Sequence, residues 1–176
     1  MNDSVAARPS KDEYAEYYET YISLVEETDI VAAMQNQLQE IEQFFAGISE
    51  EKSLYAYAEG KWTIKEVIGH LSDGEKIFAY RALRISRADK TPIEGFEQDG
   101  YIENSNFNSM KLADLVEEFV LSRKLTLILF KNLTEEAWTR IGTANNDTIS
   151  VRALAYIMVG HIRHHIKILR ERYLSE

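Results

Sequence analysis

Apolar residues recur at intervals of three and four along almost all of this chain, and no segment alternates apolar and polar with a period of two. A chain patterned this way buries its apolar surface as stripes on long helices packed against one another. The pattern therefore predicts an all-α fold, with no sheet to assign and helix content far above the average.

Four long helices can be delimited. Ile30 to Phe45 carries Leu38, Ile41 and Phe45 on one face and ends at Gly47. The second opens at Thr63, with Glu66 placed to complete a capping box, and runs to about Ala88. Its stripe is Ile64, Val67, Leu71, Phe78 and Ala82, which leaves Lys65, Glu66, Lys76 and Arg87 to face water. The third, Lys111 to Asn132, presents Leu112, Leu115, Phe119, Thr126 and Phe130, continued by Leu133, with Arg123 near the same face. Thr134 to Arg140 reads as a single helical turn and Gly142 to Thr148 as a polar connection. Ser150 caps the last helix, which reaches about Tyr173.

Asp89 to Asn108 separates the second and third helices and contains Pro92, Gly95 and Gly100. A connection of about 20 residues is long for a compact domain, and it suits the crossover of a four-helix bundle. With an N-terminal arm over residues 1–28, rich in tyrosine, the expected architecture is one helical-bundle domain over residues 1–176.

Composition narrows the function. A formal net charge of −9, with Lys and Arg interspersed among Glu and Asp, gives no basic patch for a phosphate backbone, so nucleic acid is not an expected partner. Met1 to Ser10 has no apolar run, and no segment reaches the length of a membrane span, so the expected setting is the cytoplasm, away from membranes. There is no cysteine, which removes disulfides, thiolate metal ligands and a cysteine nucleophile together.

The four histidines fall in two places, His70 on the second helix and His161, His164 and His165 on the fourth. His161 and His165 are one turn apart and continue the inward series Leu154, Met158, His161, His165, Leu169. Two imidazoles so placed can reach a single ion, and His70 from a facing helix completes a three-histidine site with an open position. His164 lies about 100° round the helix from His165 and should point elsewhere. The alternative on geometry alone is a set of core or surface histidines satisfied by hydrogen bonds.

The segments GKWTIKEVIGHLSDGEK around His70, PIEGFEQDGY in the crossover and SVRALAYIMVGHIRHHIKILRERYL at the C-terminal end resemble the DinB-like superfamily of metal-binding four-helix bundles, over roughly Tyr14 to Leu174. The resemblance implies His70, His161 and His165 as ligands of one divalent transition metal, zinc or nickel, and a homodimer paired through helices. Activities in that family resemble thiol S-transferases or isomerases dependent on bacillithiol or mycothiol, or metal-dependent hydrolases; many members have no assigned reaction.

Further candidates are Glu97 and Asp99, which would reach over the mouth of the site as this loop does in the resembling family. Arg81, Arg84 and Arg123 could receive a substrate carboxylate by paired hydrogen bonds, or snorkel along apolar surface. Asp73 and Glu75 read as surface charges or local helix pairs, and the arm tyrosines and Trp62 as core and docking groups. The resulting expectation is a metal-dependent enzyme acting on a small molecule with a low-molecular-weight thiol, catalytic candidates being Glu97, Asp99 and Arg123. The alternatives are a metal-dependent hydrolase and a non-catalytic metal-binding or dimerisation module.

Overall fold

A computed structural model describes residues 7–174; residues 1–6 of the arm and the final two residues lie outside the described part. Four long helices dominate it: α2 (Ile30–Ala46), α3 (Ile64–Ser86), α5 (Leu112–Lys131) and α7 (Val151–Ile168), the last extended by a π turn over Leu169–Tyr173. Shorter helices are α1 (Glu19–Ile22), α4 (Gln98–Glu103) and α6 (Glu135–Thr139).

Side-chain caps set most of the starts. Asp29 accepts from the Ala32 amide at 2.9 Å, Thr63 from the Glu66 amide at 3.1 Å, and Ser150 from the Ala153 amide at 3.0 Å. Glu66 reaches back to the Thr63 amide at 2.7 Å, completing the box expected from the sequence. Each such cap contributes on the order of 1 kcal/mol. Helix α5 has no cap of its own at Lys111; Glu50, from the end of the loop after α2, accepts its Leu112 amide at 3.0 Å instead.

Around the bundle, α5 packs against α2 and α3, and α7 against the same two, so the consecutive helices α2 and α3 do not form one of its principal packed pairs. Helix α1 lies on α7, where the Tyr21 backbone comes so close that a Cβ on Gly160 would meet the Tyr21 carbonyl oxygen at 2.0 Å. The arm is further tied down by Arg163 donating to Leu24 O at 2.9 Å and Arg152 to Glu13 at 2.7 Å. Two apolar cores result. One gathers Ile22, Ile30, Met34, Phe130 and the first turns of α7; the other gathers Ile64, Leu71, Leu115, Phe119, Ile162 and Leu169.

The expectation of no strand is corrected. Ile141–Ala144 (β1) and Asp147–Ser150 (β2) form an antiparallel hairpin, with Gly142 opposite Ile149 and Thr143 opposite Thr148. Asn145 and Asn146 occupy the turn with φ of 53° and 66°, as a two-residue turn of the primed type requires. Four-residue strands are too short to display an alternation. Ile93 bridges to this hairpin, its amide donating to Thr143 O and its carbonyl accepting from the Asn145 amide, each at 2.9 Å. That contact pins the crossover, which is not bare loop: it contains α4 and a 3-10 turn at Phe107–Ser109.

A second correction concerns Lys65, which does not face water. It is buried, donating to Met110 O at 2.6 Å and pairing with Glu50. No helix among the described residues is long and apolar enough to cross a membrane.

Candidate metal centre

His70 lies in the second turn of α3, and His161 and His165 lie on successive turns of α7, where the two helices pack together. The Nε2 atoms of His70 and His161 are 3.0 Å apart, and one ring nitrogen from each of the three histidines falls within 4.8 Å of the others. Two nitrogens bound to one tetrahedral ion at about 2.05 Å stand about 3.3 Å apart, so His70 and His161 are already near ligand spacing and His165 lies within side-chain reach of the same point. His164 is not in the cluster; its ring meets Tyr21 at 5.4 Å.

The electrostatics fit a cation as well. Burial pushes the His70 imidazole down to about 4, and it pushes His161 and His165 well below the usual histidine range, aided by their neighbouring histidines. All three are therefore neutral near pH 7, with lone pairs available for a borderline metal ion.

Aromatic rings and a missing side chain fix the imidazoles. Trp62 lies 4.9 Å from the His70 ring, while Tyr21 and Phe78 stand edge-on to His161 at 5.2 Å and 5.9 Å. The Tyr21 hydroxyl shares a 2.8 Å hydrogen bond with Tyr17. A Cβ at position 74 would stand 3.2 Å from Cε1 of His161, so Gly74 lets α3 lie close to that ring.

Two hollows meet the histidines from different sides. A cavity of about 330 Å³ reaches His70 and His161, between the arm tyrosines Tyr17, Tyr18 and Tyr21 and the crossover residues Phe96 and Glu97, with Arg81 and Asp147 also in its wall. A second hollow of about 580 Å³ reaches His165 past Trp62, Tyr173 and Asp99. Glu97 is thus at the first mouth, but its carboxylate caps α4, accepting from the amides of Asp99 at 3.2 Å and Gly100 at 2.7 Å. Asp99 is exposed and belongs to the other side.

Arg123 as a substrate-binding or catalytic residue is corrected. It is fully buried and makes a bidentate pair with Glu75, both bonds 2.8 Å, and a third bond to Gln37 at 2.9 Å. Gln37 in turn donates to Val159 O at 2.9 Å, so the network joins α2, α3, α5 and α7 two residues before His161. This overturns Glu75 as a surface charge. Arg84 pairs with Asp89 at 2.7 Å, and Asp73 stays near the surface with Lys76 at 3.7 Å. Tyr21, Trp62 and Asp147 also neighbour the site, beyond the residues expected from the sequence. The arm's tyrosines offered a weak signal; Asp147 offered none.

The profile of the DinB superfamily matches residues 33–169. A protein of Oceanobacillus iheyensis, provisionally named a metal-dependent hydrolase, is 25% identical over 126 residues, 68% of this chain and 69% of its own length. Among solved structures, YfiT of Bacillus subtilis, provisionally described as a metal-dependent hydrolase with an unusual four-helix bundle topology, superposes with a TM-score of 0.74 at 16% identity, covering 93% of this chain and 89% of YfiT. A mycothiol-dependent maleylpyruvate isomerase superposes with a TM-score of 0.66 at 12% identity, covering 79% of this chain and 58% of the isomerase. At these identities the structural likenesses speak for the fold.

Proposed function

The chain belongs to the DinB superfamily, and we propose that it is a metal-dependent enzyme in which His70, His161 and His165 hold one divalent transition ion, zinc or nickel, at the floor of the 330 Å³ cavity. The observation that carries the reading is the convergence of three neutral, mostly buried imidazoles on one point beside that cavity. When bound, the ion supplies Lewis acidity and lowers the pKa of a thiol or water in the position left open.

The protein's own contribution is placement and exclusion. The rings of Trp62, Tyr21 and Phe78 fix the imidazoles and keep bulk water from their edges, and Arg81 sets a positive wall at the cavity's far side. The reaction we favour is transfer or addition of a low-molecular-weight thiol. With no cysteine in the chain, any sulfur nucleophile comes from a cosubstrate, and the named thiol dependence of the isomerase with this fold supports the reading.

Hydrolysis is the second reading, supported by the provisional names of the Oceanobacillus and Bacillus proteins. It needs a carboxylate to take a proton from water. Each oxygen of Glu97 accepts one bond in capping α4, which holds this carboxylate in place, and Asp147 is the other carboxylate in the cavity wall. A homodimer belongs to the same proposal: Tyr80 and Leu83 on α3 and Leu125 and Ile128 on α5 make an exposed apolar face suited to a second copy.

The test begins with metal analysis of untagged protein. The zinc- and nickel-loaded forms are then offered a haloarene with and without bacillithiol, mycothiol or glutathione, and in parallel a panel of esters and amides. Thiol conjugation lost in His70→Ala supports transfer. Cleavage without thiol favours hydrolysis, and metal binding with silence in both assays favours a non-catalytic module.

A further inference from the structure

One buried cation in the wall of the histidine cavity lacks a counter-ion. Arg81 is only 2% exposed, yet it lines the same cavity as His70 and His161. Its Nε, shielded from solvent, has no hydrogen-bond partner. One Nη donates to Glu94 O at a long 3.3 Å, the Tyr18 hydroxyl stands as a neutral hydrogen-bond partner of the guanidinium, and the guanidinium carbon lies 5.8 Å and 5.9 Å from the ring centres of Phe78 and Phe96. Among the described residues no Asp or Glu stands within 4.0 Å of it, whereas the equally buried Arg123 has Glu75.

A guanidinium withdrawn from water with a donor unfilled is unfavourable unless something completes it. Its planar fork matches a carboxylate. The cavity wall is mixed, with Glu97, Asn145 and Asp147 on it, but the rings of Tyr18, Phe78 and Phe96 suit a flat organic body.

We propose that Arg81 is a binding residue for the carboxylate of a small organic acid, whose planar, apolar body lies against Tyr18, Phe78 and Phe96 and whose far end reaches His70 and His161. The last clause rests on the metal-enzyme reading; the carboxylate site does not. The proposal assigns the substrate class, a carboxylate separated from the reacting group by roughly the span of the cavity.

The experiment is calorimetric titration of the full chain with benzoate, with its uncharged isostere benzamide and with inorganic phosphate, in zinc-loaded and chelator-treated protein. Wild type, Arg81→Met and Arg81→Lys are compared, with zinc content and melting temperature recorded for each. Benzoate is expected to bind wild type in both forms and to weaken about tenfold or more in Arg81→Met, with zinc content unchanged and benzamide binding far more weakly. Should Arg81→Met fail to fold, Arg81→Lys, which keeps the charge but not the fork, is expected to show a severalfold loss. Equal benzoate affinity in the variant that folds overturns the proposal. So does absence of benzoate binding to wild type, equal binding of benzamide, or tighter binding of phosphate than benzoate. Arg81-dependent benzoate binding in a protein that takes up no zinc leaves the carboxylate site standing while the metal reading fails.

Discussion

The Nε2 atoms of His70 and His161 stand 3.0 Å apart although 91 positions separate the two residues in the chain. In the metal-free protein that distance is a hydrogen bond between neutral imidazoles, one donating and one accepting. The same pair, joined by His165, is what a metal ion would replace.

Removing any one of the three should therefore remove most of the metal. Four-ligand zinc sites have apparent binding free energies of roughly 10–16 kcal/mol, so one ligand is worth about 3 kcal/mol and its loss about two orders of magnitude in affinity. His70→Ala, His161→Ala and His165→Ala are each expected to weaken zinc binding by that much in a competition titration. His164→Ala, whose ring lies on Tyr21, is expected to keep wild-type affinity.

The metal-free protein should lose stability on mild acidification. Burial holds His70 at about 4, against an ordinary value of about 6.5, so between these limits the unfolded chain binds the proton that the folded one refuses. Stability is thus full above about pH 6.5 and falls as the pH drops towards 4, by about 3 kcal/mol for His70 alone. His161 and His165, shifted in the same direction, steepen the fall. Urea midpoints between pH 7 and pH 4.5 measure it, and a flat profile would remove burial as the controlling influence.

The Arg123–Glu75 pair should behave as a structural unit. Either partner alone leaves the other charged and buried, so Arg123→Met or Glu75→Leu is expected to cost about 3–5 kcal/mol. The double variant, which removes both charges, is expected to recover much of that loss. Chemical denaturation of the two single variants and the double variant gives the coupling directly.

The apolar face of α3 and α5 should govern self-association. Leu125 is 71% exposed and Ile128 is 62% exposed, so neither contributes much to the fold of one chain. Leu125→Glu with Ile128→Glu is expected to convert a dimer into a monomer by light scattering while changing the monomer's stability by less than about 1 kcal/mol. An unchanged dimer would place the contact elsewhere.

What the sequence determined by itself was the set of local features that repeat along one helix. The four long helices, the capping box at Thr63, the N-cap at Ser150, and the inward series from Leu154 to Leu169 are written in residues three or four positions apart. His161 and His165 belong to that series, and His70 lies beside the stripe of its own helix. Tertiary structure decided everything that depends on which helices meet and how closely. Glu75 and Lys65 look like surface charges until α5 and Glu50 arrive beside them. The Asn145–Asn146 hairpin becomes consequential only when Ile93 crosses to it and pins the crossover above the cavity. Tyr21 and Trp62 reach the imidazoles because Gly160 lets α1 lie against α7 and the loop before Thr63 turns back over His70. The physical reason is common to these cases. A helix's periodicity fixes the direction of each side chain, but the free energy of a buried charge, an orphaned donor or a ring contact is set by a partner many residues away, and no local pattern encodes that partner's distance.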